Sequence, residues 1–219
     1  MLKKYKEINM KILAFGAHAD DVEIGMGGTI ARMVEDGHEV KIVCAIIPHE
    51  NIDGVPNLKD KEIRHKAAVE AAHILGAEIE ILDIDPYEFT LNRKFTKIFD
   101  QIVKEYKPDE VFVNWHHDSH QDHRAIANMI FSASRKNNFS LYMYESMIPG
   151  GIVAESFRPQ LFINISDTIN KKIASLKTYY SISLYEQVGD GIVGRASYRG
   201  HQIGVKHAEV FEIVKKIRL

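Results

Sequence analysis

The chain has 219 residues, 45% apolar and 26% charged, with only 6 Pro and 14 Gly, a balance that excludes disorder, collagen-like sequence and low-complexity linkers. At about 150 residues per domain this length predicts one domain over 1–219. Lys and Arg total 28 against 30 Asp and Glu, a formal net charge of -2, so the basic excess that neutralises phosphates is missing and nucleic acid is not expected as a partner.

In chain order, short β-branched runs alternate with helical patterns. KILAFGA (11–17) reads as a strand, GGTIARMVEDG as a helix and EVKIVCAII (39–47) as a second strand. Cys44 lies inside that strand, and one thiol makes no internal disulfide, which together with the lack of any apolar run near 18 residues predicts a cytoplasmic chain with no membrane span. KEIRHKAAVEAAHILG places Ile63, Ala67, Ala71 and Ile74 on one helical face and ends at Gly76, which tolerates the left-handed turn of a helix stop. EIEILDI (78–84), the helix FTKIFDQIVKEY closed by Pro108, the strand DEVFVNW (109–115), a helix over 123–134 and LYMYES (141–146) continue the alternation. Such a series predicts parallel strands with right-handed crossovers: a doubly wound, mainly parallel α/β sheet of the Rossmann-like kind, order 3-2-1-4-5. LFINIS (161–166), a helix through Ile169, Ile173, Leu176 and Tyr180, a Gly-rich loop over 183–204 and a short terminal helix are expected as a C-terminal extension. A homo-oligomer is compatible with this sequence.

Two polar clusters interrupt the pattern. The first turn reads GAHADDVEIGMGG (16–28), with His18, Asp20 and Asp21 where a dinucleotide site would need glycines beside a pyrophosphate. Two carboxylates there would repel a phosphate, and their own mutual repulsion calls for a cation. The second cluster, HHDSHQDH (116–123), packs four of the 11 histidines into eight residues directly after the fourth strand. In the expected order the first and fourth strands are neighbours, so the clusters meet in the crevice at their C-terminal ends. His18 and Asp21 plus one histidine of the second cluster would hold a metal with positions left open, as in a catalytic site. His120, Asp122 and His123 divide the remaining roles: one imidazole on the metal, one free as acid or donor, and a carboxylate orienting a ring. Spacing alone leaves His116 and His117 equally suited to a structural role.

AHADDVEIGMGG and HQDH resemble the A-H-P-D-D-x-E-x-G-x-G-G and H-P-D-H signatures of the PIG-L/LmbE-like deacetylases. An Arg64 helix followed by A-x-x-x-x-A-x-x-L-G, and the tail YRGHQIGVKHAEVFE, are also similar to that family. Ala19 and Gln121 stand where the family usually has Pro, which removes no functional group. The resemblance implies a zinc-dependent, or other divalent-metal-dependent, hydrolase that takes the acetyl group from an N-acetylated amino sugar or sugar conjugate. It implies His18, Asp21 and His123 as metal ligands, Asp20 as general base, His120 as acid or oxyanion donor with Asp122 behind it, and Arg64 near the substrate. Two rival readings remain at this point. A two-His-one-carboxylate set also serves non-heme iron oxygenases, although those sites usually sit in all-β folds. A metal-binding, non-catalytic protein would be expected to lack Asp20. The loop 48–57 follows the second strand at the same edge and is long enough to be a lid, while 185–201, with four glycines, Tyr198, Arg199 and His201, is open to two readings, a loop that closes over a sugar or an ordinary surface loop.

Overall fold

The computed structural model describes residues 9–48, 58–146, 155–179 and 184–218. The elements run β1 (Lys11–His18), α1 (Asp21–Glu35), β2 (Glu39–Ile46), α2 (Leu58–Leu75), β3 (Glu78–Ile81), α3 (Arg93–Tyr106), β4 (Glu110–Asn114), α4 (Gln121–Ala133) and β5 (Ser140–Tyr144). They are followed by β6 (Leu161–Asn164), α5 (Ile169–Lys177), α6 (Leu184–Gln202) and β7 (Ala208–Lys215). All seven strands join one sheet in the order β3-β2-β1-β4-β5-β7-β6. The first five are parallel in the order expected from the alternation, and β7 runs antiparallel between β5 and β6.

Alternation along each strand feeds two cores. Leu13 and Phe15 of β1, with Val111 and Val113 of β4, face Phe95, Phe99, Ile126 and Ile130 from α3 and α4. Ile12 and Ala14, with Ile42 and Phe112, face Val22, Met26 and Ile30 of α1 on the other side. A sheet covered on both faces needs strands that are apolar throughout, and β1 is buried from Ile12 to Ala17. Gly76 ends α2 with φ +78, the left-handed stop its position predicts. No helix among the described residues is long and apolar enough to cross a membrane.

The C-terminal extension departs from expectation in two places. Residues 184–202 form a helix and not a Gly-rich loop. Gly191 and Gly194 face open space, while a Cβ on Gly200 would meet the backbone of residues 205–207 at 2.7 Å, so that glycine serves a close crossing of chains. The helix is anchored by Arg199, whose guanidinium grips Glu145, and by Arg195, which bonds the carbonyls of Ser146 and Ile24. The terminal segment AEVFEIVK is a strand and not a helix. It is bound along both edges, to β5 and β6, and its first five residues are buried on both faces.

Candidate metal centre and substrate pocket

The strand order reverses between β1 and β4, and at such a switch point the strand ends part to leave a crevice. A cavity of about 440 Å³ opens there. His18, Asp20, Asp21, His120, Asp122 and His123 all line it, and Arg64 reaches it from α2. The expected meeting of the two clusters, and the Arg64 edge, are therefore what the structure contains. The walls also include Ile46 and Pro48 after β2, Pro86 after β3, and Tyr144 and Ser146 at the end of β5. Residues 49–57, the expected lid, lie outside the described residues.

The first turn is built tightly. Ala19 N–H bonds the Ile46 carbonyl at 3.3 Å, and Asp20 then takes a left-handed conformation, φ 96 and ψ -25, before α1 begins at Asp21. Asp and Asn are the non-glycine residues that enter this region most readily. The Asp21 carboxylate turns back to accept the His18 N–H at 2.9 Å and the Asn114 side-chain amide at 3.1 Å, both on Oδ2. Asn114 closes β4 and also accepts the Ala17 N–H at 3.1 Å, so a single amide locks the two strand ends together.

Around Asp21 stand two imidazoles. His123 Nε2 is 3.1 Å from Asp21 Oδ1, and His18 Nδ1 is 3.5 Å from Oδ2. Each ring has its second nitrogen on another carboxylate, His123 Nδ1 at 3.1 Å from Asp118 Oδ2 and His18 Nε2 at 3.0 Å from Asp122 Oδ2. Burial alone would favour neutral rings. Bonds to Asp122 and Asp21 outweigh it at His18 and lift its pKa to about 9. The charge of Asp21 and bonds to Asp118 and Asp21 do the same at His123, which rises to about 10. Burial likewise opposes ionisation of Asp21, but the facing His123 holds its carboxyl well below the usual range. Asp20 goes the other way: burial, then the charges of Asp21 and Glu23, push its carboxyl well above the usual range against the opposing pull of His18 and Arg64.

His120 caps α4. Its Nδ1 accepts the Asp122 N–H at 3.2 Å, and its own N–H bonds Asp118 Oδ1 at 2.8 Å. A backbone amide can only donate, so Nδ1 carries no proton and the neutral ring has its hydrogen on Nε2. Burial, with the neighbouring charges of His18 and His123, depresses its pKa and keeps it neutral. The ligand atoms of His18, His120 and His123 lie within 4.8 Å of one another, close enough to share an ion.

Asp122 differs from expectation in its partner: its carboxylate lies nearer to His18 than to His120 Nδ1, which is 3.8 Å away. Asp118 was missed. It is 3% exposed, orients His123 and is fixed by Arg124, which bonds the Asp118 and Ser119 carbonyls at 2.7 and 2.6 Å. The rule that an imidazole ligand donates its other nitrogen to a carboxylate would have pointed to it. Asn114 carried no sequence signal beyond ending a strand. His116 and His117 stay out of the cavity: they pack on each other at 3.7 Å, with His116 against Met143 and Phe131. Trp115 is buried against His117 and Phe157. Tyr198 is exposed, and Arg199 is engaged with Glu145.

The sheet is that of solved deacetylase structures of the α/β class. Residues 13–134 match the family described as PIG-L, GlcNAc-PI de-N-acetylase, and the chain belongs to that family. It is 27% identical over 233 aligned residues to the diacetylchitobiose deacetylase of Thermococcus kodakarensis, an alignment covering 95% of this chain and 85% of the relative. The crystal structure of the N,N'-diacetylchitobiose deacetylase of Pyrococcus horikoshii superposes with a TM-score of 0.80 at 23% identity, covering 98% of this chain and 87% of the other. The same fold carries the 4-carboxy-2-hydroxymuconate hydratase of Pseudomonas putida, with TM-score 0.82 at 21% identity over 96% and 98% of the two chains.

Proposed function

We propose that the chain is a zinc-dependent hydrolase that removes the acetyl group from an N-acetylated amino sugar or sugar conjugate, with His18, Asp21 and His123 as the metal ligands. The observation that carries this reading is the Asp21 carboxylate set between two imidazoles, each steadied from behind by a further carboxylate. The fit to a metal follows from donor chemistry and spacing. Two ligand atoms each about 2.1 Å from a tetrahedral zinc stand about 3.4 Å apart, and the Asp21-to-imidazole separations bracket that value. His120 has a nitrogen within 4.8 Å of those of His18 and His123, but its Nδ1 is committed to a backbone amide, so its Nε2 keeps a proton and serves as a donor. Three ligands with open positions is the composition of a catalytic and not a structural zinc site.

A bound divalent ion supplies Lewis acidity and brings the pKa of water toward about 7. The remaining steps belong to this chain's side chains. Asp20 accepts the proton of the attacking water, and its burial beside Asp21 and Glu23 makes it a stronger acceptor than an exposed carboxylate. The Nε2–H of His120 donates a hydrogen bond to the tetrahedral oxyanion, and the proton that Asp20 has taken from water passes on to the leaving amine. Asp118 and Asp122 hold the two metal-side rings in place. Arg64, which lines the cavity as Pro48 and Pro86 do, provides a donor for the sugar. The continuous sheet supports reading the chain as a single catalytic unit.

The test is acetate release from a panel of N-acetylglucosamine derivatives, with and without chelator. Chelator-sensitive release is expected. Protein that binds zinc yet releases no acetate from any derivative would overturn the reading, and water addition to an unsaturated acid by that protein would replace it with hydratase chemistry.

A further inference from the structure

Helix α1 is broken at Met26, where φ is -146 and ψ is 19. The break separates the turn Asp20–Ile24, which carries the site, from the longer run that follows. Three C-terminal elements stitch it together. Glu209 of β7, 5% exposed, accepts the Gly28 N–H at 3.1 Å and the Thr29 N–H at 2.6 Å on its two oxygens. Those amides would bond Ile24 and Gly25 in an unbroken helix. Lys172 of α5, 1% exposed, donates to the Ile24 carbonyl at 2.7 Å and pairs with Glu209, while Arg195 of α6 donates to the same carbonyl at 3.0 Å. A carboxylate thus meets the amide end of one helix and two cations meet the carbonyl end of the other, each favoured by the local dipole.

An unbroken helix would satisfy the same amides without burying a lysine and a glutamate, and a buried ion pair is a poor means to stability alone. The break instead sets the position of the first turn. A Cβ on Gly25 would stand 2.2 Å from the Tyr144 ring, so the turn lies directly against a residue of the cavity wall. Ile24 N–H bonds the Asp20 carbonyl at 2.9 Å, which makes Asp20–Ile24 one closed unit with carboxylates at one end and the gripped carbonyl at the other. We propose that Glu209 and Lys172 are positioning residues that hold this turn on Tyr144 and thereby fix where Asp20 and Asp21 present their carboxylates. This assignment rests on the roles given above to those two aspartates.

The experiment compares Glu209→Gln, Lys172→Met and the charge-balanced double variant with the parent. It follows thermal midpoint, amide hydrogen exchange across residues 20–24 in metal-free protein, and zinc affinity by competition with a chromophoric chelator. The single variants are expected to lose stability and the double variant to regain most of it. In the double variant, exchange over 20–24 should still be at least tenfold faster than in the parent while β1 and β4 are unchanged, and zinc should bind at least tenfold more weakly. A double variant with parent exchange over 20–24 and parent zinc affinity, whatever its stability, would refute the positioning role. If the double variant does not fold, Thr168→Val, which removes the hydroxyl that bonds the Gly28 carbonyl at 2.8 Å and reaches the Ile165 carbonyl at 3.5 Å, decides by the same comparison: threefold or greater effects at 20–24 support positioning, and unchanged exchange refutes it. A parent that binds zinc but releases no acetate would refute the deacetylase reading and leave exchange and zinc affinity to decide this one.

Discussion

Replacing Asp20 by Asn should separate chemistry from folding with unusual clarity. Asn tolerates the left-handed backbone at φ 96 as well as Asp does, and it matches Asp in size, so the turn should keep its shape. Loss of the acceptor for the water proton should reduce turnover by roughly 10² to 10⁴. Metal content should be unchanged, because the proposed ligand atoms of His18, Asp21 and His123 are untouched. Stability should move the opposite way to activity. The Asp20 carboxyl is raised in the folded protein, so between its unfolded and folded pKa values the native state holds a proton that the unfolded chain has released, and stability falls as pH rises through that window. Asn removes this term. Metal-free Asp20→Asn should therefore melt higher than metal-free parent at pH 8, with a smaller difference at pH 4. Asp21→Asn provides the contrast: it strips the charge facing both imidazoles, and metal and activity should be lost together, with partial recovery in excess zinc. The assay is thermal melting in chelator at the two pH values, beside metal content and turnover on both variants. Loss of the ion by Asp20→Asn, near-parent turnover, or a lower melting point than parent at pH 8 would refute the reasoning.

The two raised imidazoles predict a second pH dependence. Each contributes stability to metal-free protein that is complete below about 6.5 and is lost as pH rises through about 9 for His18 and about 10 for His123; for His18 the shift is on the order of 3 kcal/mol. Saturating zinc should abolish most of this loss, and identical melting curves with and without zinc from pH 7 to 10 would contradict it. Asp118→Asn should weaken zinc binding about 10- to 100-fold by freeing the His123 ring, as measured by chelator competition. His123→Ala should lose the ion, whereas His120→Ala should keep it and lose turnover. Arg64→Ala should raise KM at unchanged metal content, and a fall in kcat alone would remove Arg64 from the substrate.

The parallel half of the fold was legible because its signals are local. Strand and helix periods, the stop at Gly76 and the handedness of crossovers leave few arrangements of five strands, and the strand order then brings two distant clusters to one crevice. The antiparallel end was not legible because its stability comes from partners far away in sequence. Glycines at 189, 191, 194 and 200 each cost a helix about 1 kcal/mol, which argues for a loop. The helix stands because Arg195 and Arg199 anchor it to Ile24, Glu145 and Ser146. In AEVFEIVK, two glutamates argue against a buried strand, yet both are buried. Glu212 meets the Arg158 backbone, and Glu209 meets α1 and Lys172.

The site shows the same division at the scale of single residues. Clustering in sequence found the groups that meet at the cavity, because His18, Asp20 and Asp21 share one turn and His120, Asp122 and His123 another. It paired Asp122 with His120 alone, whereas residues two apart at a helix start need not share a direction: Asp122 meets His120 through its amide, with its carboxylate 3.8 Å from that ring and 3.0 Å from His18. It passed over Asp118, which stands in plain view between His117 and Ser119, because that residue's role exists only once α4 turns His123 back over it. Chemistry at this site is therefore written in two layers. One is the set of side chains that spacing reveals. The other is the set of carboxylates, amides and buried cations that aim them, and those become readable only when the chain has closed on itself.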